Sequence, residues 1–268
     1  MKYKIGDVAK ILGISPDLLR YYEKKGVVRP LKDRNNDYRY YEAWDINFLI
    51  DCLWYKNFGF GIEQIGQMVT VSTYDDIITL FGEKEDEFRS TIRRAELLLG
   101  RAEKHRQEIS EARNYLGKCD IRTSPEIVRY INRYNFVYDN SQKLQELNLK
   151  WLDYIPFTHR CFEIDIDALT APEGEDYRWG FSLDMDYARE LEVNISPPVV
   201  HLPSEKSIHS VFTSSGKSNF SPKLLDYMVD YARENSLEIN GSARGNLLCS
   251  VMENDKLTGF FEVWLPVK

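Results

Sequence analysis

The stretch from Ile5 to Tyr41 limits what this chain can fold into more than any other. Ile5, Val8, Ala9 and Leu12 recur at i, i+3, i+4 and i+7, which lines one face of a short helix. Gly13 follows, and glycine enters the left-handed turn after a helix at least cost. Ser15 is placed to cap a second helix, and Pro16 suits its first position, where a missing N–H is no loss. On that helix Leu18, Leu19 and Tyr22 face inward, Arg20 and Tyr21 fall near the outer face, and Gly26 ends it. Two helices joined by a short glycine-containing turn make a helix-turn-helix, whose second helix fits a DNA major groove.

Arg29-Pro30 leaves the second helix, residues 32–37 form a polar turn, and Tyr38-Arg39-Tyr40-Tyr41 reads as a short extended run. That is a β-wing beside the helix. Residues 1–41 hold ten Lys and Arg against five Asp and Glu, whereas the whole chain carries −7. A basic island on an acidic protein is what binding to phosphates requires.

The segments IGDVAKILGIS, LRYYEKKGVVRP and DYRYY resemble the N-terminal winged helix-turn-helix of the MerR family of transcription regulators. The resemblance covers about the first 70 residues. It implies a DNA interface of Ser15, Pro16, Arg20, Tyr21, Tyr22, Tyr38, Arg39, Tyr40 and Lys56. Arg20 and Arg39 would grip phosphates or base edges, and the tyrosine hydroxyls would bond the DNA backbone. Lys56 has a second reading from its position alone, as a solvated charge at the end of a helix.

At 268 residues the chain is long enough for two domains with sizeable cores. Residues 42–70 continue the first: Trp44, Phe48, Leu49, Cys52 and Leu53 mark an amphipathic helix, Gly59 and Gly61 break it, and Ile62, Ile65, Met68 and Val69 form a shorter one. Residues 75–118 contain no proline. Phe81, Phe88, Ala95, Ala102, Ile109 and Leu116 stand seven apart there, with Ile92 and Leu99 at alternate seam positions and Glu85, Arg106 and Arg113 interrupting them. A helix with such a seam cannot bury it alone. An identical helix from a second copy is the simplest cover; packing on its own C-terminal domain is the alternative. The resemblance implies the first, as an antiparallel pair that holds two DNA-reading heads at a fixed distance.

Residues 119–268 mix strands with helices. IVRYINRYNFVY (127–138) reads as strand, turn, strand, and 141–154 as a helix. CFEIDIDAL (161–169) alternates like a half-buried strand, 172–176 is a solvated loop, and 178–183 is a strand again. Prolines at 197, 198 and 203 bracket an irregular edge before a strand at 207–213. Ser221-Pro222 opens a helix with Leu224, Leu225, Met228, Val229 and Ala232 inward, followed by strands at 246–252 and 259–267 around a turn at 253–256. Strands, helix, strands, twice over, suggest two halves around one antiparallel sheet. This order and the final GFFEVWLPV are similar to the GyrI-like effector-binding domain of multidrug-sensing MerR relatives. The expected fold class is therefore α+β: a winged helix-turn-helix over 1–74, a dimerising antiparallel coiled-coil helix over 75–118, and a GyrI-like antiparallel-sheet domain over 119–268.

Residues 119–268 carry 15 Lys and Arg against 23 Asp and Glu. Together with the aromatics this suits an organic cation, held by π faces and a carboxylate. The candidate lining is Tyr130, Tyr134, Phe136, Tyr138, Trp151, Trp179, Phe181 and Trp264, with Glu262 as the acid. Drug-binding relatives place a carboxylate at the start of the strand read here from Gly245, where this chain has Arg244-Gly245-Asn246. Arg244 then either favours a neutral or anionic ligand or points into water.

Cys52, Cys119, Cys161 and Cys249 form no CxxC pair and no zinc pattern, so no metal or cofactor is expected. MKYKIGDVAK has no apolar signal core, and no run of about 18 apolar residues occurs. No membrane partner is expected, and reduced thiols in a cytoplasm are the default. The combined expectation is a non-enzymatic homodimer that binds double-stranded promoter DNA, answers to a small organic effector and acts on RNA polymerase indirectly. Two alternatives stay open: hydrolysis of a small molecule by Glu262 and a nearby tyrosine, as for some GyrI-like proteins, and ligand-independent DNA binding.

Overall fold

The computed structural model describes residues 2–32, 38–170, 176–216, 219–253 and 255–268. The expected turn at 33–37, the loop at 172–175 and residue 254 of the last turn lie outside the described residues. The chain divides into two units, Met1–Ala95 and Glu96–Lys268.

The first unit runs β1 (Tyr3–Lys4), α1 (Ile5–Leu12), α2 (Pro16–Lys24), β2 (Leu31–Lys32), β3 (Arg39–Tyr41), α3 (Ala43–Asn57), α4 (Ile62–Thr70) and the start of α5 (Tyr74–Tyr115). Gly13 closes α1 with φ at 65°, the left-handed value that lets the chain turn at once into α2. The strands form a three-stranded antiparallel sheet in the order β1-β3-β2. The sequence reading lacked β1, two residues whose partners, Tyr40 and Tyr41, lie far along the chain. Val8, Leu19, Tyr22, Tyr41, Leu49, Cys52 and Ile65 are fully buried and make one core. Trp44 is not part of it; it is 77% exposed, because five residues before Leu49 it points about 140° away round the helix. Phe81 of α5 packs on Phe58 and Phe60 at ring distances of 5.3 Å each.

Residues 74–115 form one continuous helix, as the absence of proline suggested. Its seam is used unevenly. Phe81 is taken up by the core of the first unit, and Leu116 falls beyond the helix end. Phe88, Ile92, Ala95, Leu99 and Ala102 remain exposed along one side of the described chain.

The second unit continues from α5 through β4 (Asp120–Thr123), β5 (Ile127–Tyr134), β6 (Val137–Tyr138), α6 (Gln142–Asp153), β7 (Thr158–Ile164), α7 (Ile166–Thr170), β8 (Arg178–Asp184), α8 (Met185–Glu190), β9 (Val200–Leu202) and β10 (Lys206–Ser215). A 3-10 turn at Pro222–Leu225 then leads into α9 (Asp226–Glu234), β11 (Ala243–Glu253) and β12 (Lys256–Pro266). The nine-stranded sheet has the order β4-β10-β12-β11-β7-β8-β5-β6, with β9 also on β5. Two halves of equal plan, β5-α6-β7-β8 and β10-α9-β11-β12, meet where β7 pairs with β11. The expected strand over 161–169 stops at Ile164: Asp165 turns the chain, its carbonyl accepting from Leu169 N at 3.0 Å, and α7 begins.

Alternation gives the two faces of this sheet opposite characters. Phe162, Ile164, Trp179, Phe261, Val263 and Leu265 pack with Met228 and Ala232 of α9. Val128, Tyr130 and Leu183 pack with Leu144 and Trp151 of α6. The residues between them, including Arg129, Glu163, Ser182, Arg244 and Asn246, face the other way and are also buried. Across that second face the segments 124–126 and 203–205 run side by side, Ser124 N donating to Glu205 O at 2.9 Å and Glu205 N to Ser124 Oγ at 3.1 Å. Among the described residues no helix is long and apolar enough to cross a membrane.

Candidate functional site

The outer surface of the first unit is made by α2 and β3. Ser15 caps α2, its Oγ accepting from Leu18 N at 3.2 Å, and Pro16 takes the first helical position. Arg20 and Tyr21 are exposed; Arg20 pairs with Asp17, and Lys25 Nζ stands 5.9 Å from the Tyr21 ring. Tyr38 is exposed, with Lys4 Nζ 5.4 Å from its ring. Arg39 Nε donates to Glu23 Oε2 and the Tyr41 hydroxyl to Glu23 Oε1, each at 2.6 Å. Glu23 thus ties the wing to the helix. Burial and this hydrogen bond raise the Tyr41 pKa, so the phenol stays a donor. Glu23 was not singled out from the sequence, where one acid among Arg20, Lys24 and Lys25 looks like solvated surface. Tyr40 is half-buried, and Lys56 is exposed near the end of α3.

Tyr22 is a correction. It lies three residues beyond Leu19 on the inner stripe and is fully buried, its hydroxyl included, so it cannot reach a ligand from the surface. The groups left at the surface are cations and hydroxyls, the types that bond phosphate oxygens.

The residues expected to line an effector site do not all converge on one place. Tyr130 and Trp151 are core, ring to ring at 4.9 Å, and the Tyr130 hydroxyl donates to Asn148 Oδ1 at 2.6 Å. Tyr134 and Phe136 are exposed around the β5–β6 turn. Arg244, Glu262 and Trp264 alternate onto the polar face. Aromatics on a strand beneath a helix are claimed by dry packing, which removes them from a pocket. Three of the set do meet: Tyr138, Trp179 and Phe181 line one cleft with Asn132, Arg133 and Arg160. The guanidinium carbons of Arg133 and Arg160 stand 5.0 and 5.3 Å from the Trp179 ring, so the place of a cation over an aromatic face is already filled from within the chain. Trp179 Nε1 and Arg133 Nε are buried there without hydrogen-bond partners.

The missing acid at Gly245 also has a physical reason. A Cβ at that position would stand 2.0 Å from Glu262 O and 2.6 Å from the Phe162 ring. Phe162 fills the space that a carboxylate side chain would need.

On the polar face Arg129 pairs with Glu163, which also takes Arg178 at 3.1 Å. Arg244 turns to the crossing segments: it donates to Ser124 Oγ at 3.0 Å and pairs with Glu205 at 2.5 Å, so it does not point freely into water. Ser182 Oγ donates to Asn246 Oδ1 at 2.7 Å. His209 stands between two carboxylates, its Nδ1 3.0 Å from Asp120 and its Nε2 3.0 Å from Glu262, so Glu262 is engaged rather than free.

Glu108, His159 and Asp184 are close enough together to suggest a metal site. Their partners argue otherwise. Arg101 Nη2 donates to His159 Nε2 at 3.1 Å and Nη1 to Glu108 at 3.3 Å, while Lys104 pairs with Asp184. Two cations hold the lone pairs that a metal would need. Burial first, and then the Arg101 charge, push the His159 pKa down to about 4 and keep the ring a neutral acceptor. Burial likewise pushes the Cys52, Cys119 and Cys161 thiols up to about 11, away from the thiolate that a metal binds.

A sequence profile described as MerR family regulatory protein matches residues 4–41. The HTH-type transcriptional regulator CueR of Escherichia coli O157:H7 is 31% identical over 112 residues, 42% of this chain and 76% of CueR. The HTH-type transcriptional activator mta of Bacillus subtilis (strain 168) is 31% identical over 85 residues, 32% of this chain and 33% of mta. Among solved structures, the EcmrR–DNA complex in EcmrR-RPo aligns over 99% of both chains with 17% identity and a TM-score of 0.38.

Proposed function

We infer the function from one premise: the chain belongs to the MerR family of regulatory proteins. It is a DNA-binding transcription regulator, and its curated relatives named above are regulators rather than enzymes.

We propose that it works as a homodimer on promoter DNA. The exposed stripe of Phe88, Ile92 and Leu99 supports an antiparallel pairing of α5 with a second copy, since apolar residues repeated at this spacing need a partner surface. The DNA reading is carried by Glu23, which fastens Arg39 and the wing beside Arg20 and Tyr21 of α2. A dimer with two such heads bends and untwists the promoter between its half-sites, and RNA polymerase responds to the altered DNA shape. The bending costs on the order of a few kcal/mol, offset by phosphate contacts along the wings.

The second unit takes the role of a GyrI-like effector-binding domain, consistent with its two β-α-β-β halves. Its effector is a small organic compound lodged in the Tyr138–Trp179–Phe181 cleft. The unpartnered Trp179 Nε1 and Arg133 Nε favour an aromatic molecule that offers acceptors over a bare cation. The ligand must favour one arrangement of the dimer over another to change the DNA.

Fluorescence anisotropy on a duplex selected from a random pool tests the DNA reading. Arg39→Ala is expected to weaken binding about tenfold and to lower the salt slope by about 1. Unchanged affinity and slope would remove the wing from the interface. Sedimentation tests the dimer: wild type sediments as a dimer and Ile92→Glu as a monomer, and a monomeric wild type would end the dimer reading.

A further inference from the structure

We propose that the ligand of the Tyr138–Trp179–Phe181 cleft is an organic anion, an aromatic carboxylic acid whose charge is met by Arg133 and Arg160. The inference rests on the placing of the effector in that cleft and goes further, since it fixes the sign of the ligand's charge.

Three observations carry it. The first is uncompensated charge. Arg133 and Arg160 both line the cleft, and no carboxylate lines it among the described residues. Their guanidinium carbons stand 5.0 and 5.3 Å from the same ring, that of Trp179. Among the described residues neither makes an ion pair, whereas Arg129, Arg178 and Arg244 of the same sheet each have one. Two like charges gathered on one indole repel each other, and an anion beside them relieves that. The indole also holds both side chains in place, so less ordering is left for a ligand to impose.

The second is hydrogen bonding at a surface that a ligand can reach. Arg160 is exposed, and Arg133 and Asn148 are half-buried. Asn148 stands on the cleft wall, and its Oδ1 accepts from the Tyr130 hydroxyl at 2.6 Å and from Asn132 Nδ2 at 2.7 Å. That takes the acceptor end of the amide and leaves Nδ2, a donor, to offer.

The third is room and shape. The cleft has a volume of about 300 Å³, enough for a small organic ligand. Tyr138 and Leu152 of its lining are 56% and 45% exposed, and Phe181 is half-buried. They offer an aromatic ring an apolar wall with two flat faces. A carboxylate on that ring is planar and matches the fork of a guanidinium. An ammonium in its place would meet two cations and no acid.

The test is a calorimetric titration of the full chain, without DNA, with three probes of one shape: naphthoate, its neutral amide and naphthylmethylamine. At equal ionic strength the acid is expected to bind saturably and about tenfold tighter than the other two. Arg160→Gln, at an exposed position, should weaken the acid about tenfold and leave the amide as it was. Arg160→Glu should reverse the order, so that the amine binds better than the acid; a merely structural loss would weaken both. Leu152→Asn reports whether the cleft is used, and should weaken every probe that binds there about threefold. Amide or amine binding as tight as the acid, and weakened by Leu152→Asn, would overturn the charge assignment and keep the cleft. Acid binding that Leu152→Asn and Arg160→Glu both leave unchanged would overturn the cleft as well, as would no binding of any probe. Inorganic phosphate binding as tightly as naphthoate would overturn the aromatic acid.

Discussion

The two faces of the C-terminal sheet are built from the same strands and solve burial in opposite ways. Toward α6 and α9, Phe162, Trp179, Phe212 and Phe261 form a dry aromatic cluster. One residue along each strand, Arg129, Glu163, Ser182 and Asn246 are buried as well, yet joined by ion pairs and hydrogen bonds. The dry face is non-directional: any apolar group of fitting volume contributes. The polar face is conditional, because each group holds its place only while its partner remains.

That contrast can be broken by mutation. Phe162→Ala opens a cavity among four aromatic rings, Trp179, Phe212, Phe220 and Phe261, and is expected to cost about 4 kcal/mol in chemical denaturation. Glu163→Leu leaves Arg129 unpaired and should cost a similar amount. The two losses differ in how they are repaired. Adding Arg129→Met to Glu163→Leu should recover most of the stability, since an ion pair replaced by apolar groups is often neutral. If the pair of changes is as damaging as the single one, the polar face is not the conditional structure described above.

Acidity sharpens the comparison next. His159 titrates near 6.5 when unfolded and near 4 when folded. Between those values the unfolded chain binds the extra proton, so stability is full above about pH 6.5 and falls as pH drops toward 4. The loss approaches about 3 kcal/mol. Denaturation midpoints measured across that window should show the slope, and His159→Gln should flatten it. The smallest expected effect is Ser182→Ala, which removes one hydrogen bond to Asn246 and should cost about 1 kcal/mol. A change of several kcal/mol there would mean that the network is coupled well beyond one bond.

The N-terminal unit was legible because its signals are local. Gly13, Ser15 and Pro16 specify a turn and a cap within four residues, and the inward stripe of α2 follows from spacing alone. The long α5 was legible for the same reason. What failed were judgements about which face a residue meets. Tyr130 and Trp151 were expected to line a binding site because they are aromatic, but they pack into the core between the sheet and α6. Tyr22 could not be both an inward residue and a surface contact. The polar face had a faint signal: Arg129 sits between Val128 and Tyr130, and Glu163 between Phe162 and Ile164, one charge of each sign at alternating positions. Which strand would bring them together depends on pairings across 34 residues and more, and no short-range pattern carries that. Glu23 was hidden likewise, since its partners Arg39 and Tyr41 are remote in sequence.

The outer strands have a consequence for handling the protein. β5 is covered on its free side by two fragments, β6 with two residues and β9 with three, and β10 by the four residues of β4. Neither margin offers a long straight template for another chain to extend, which is how native sheets resist fibril growth. A fragment begun after Thr123 would lack β4 and bare the first part of β10. Attempts to produce the C-terminal portion alone should therefore begin upstream of Asp120, or expect insoluble material.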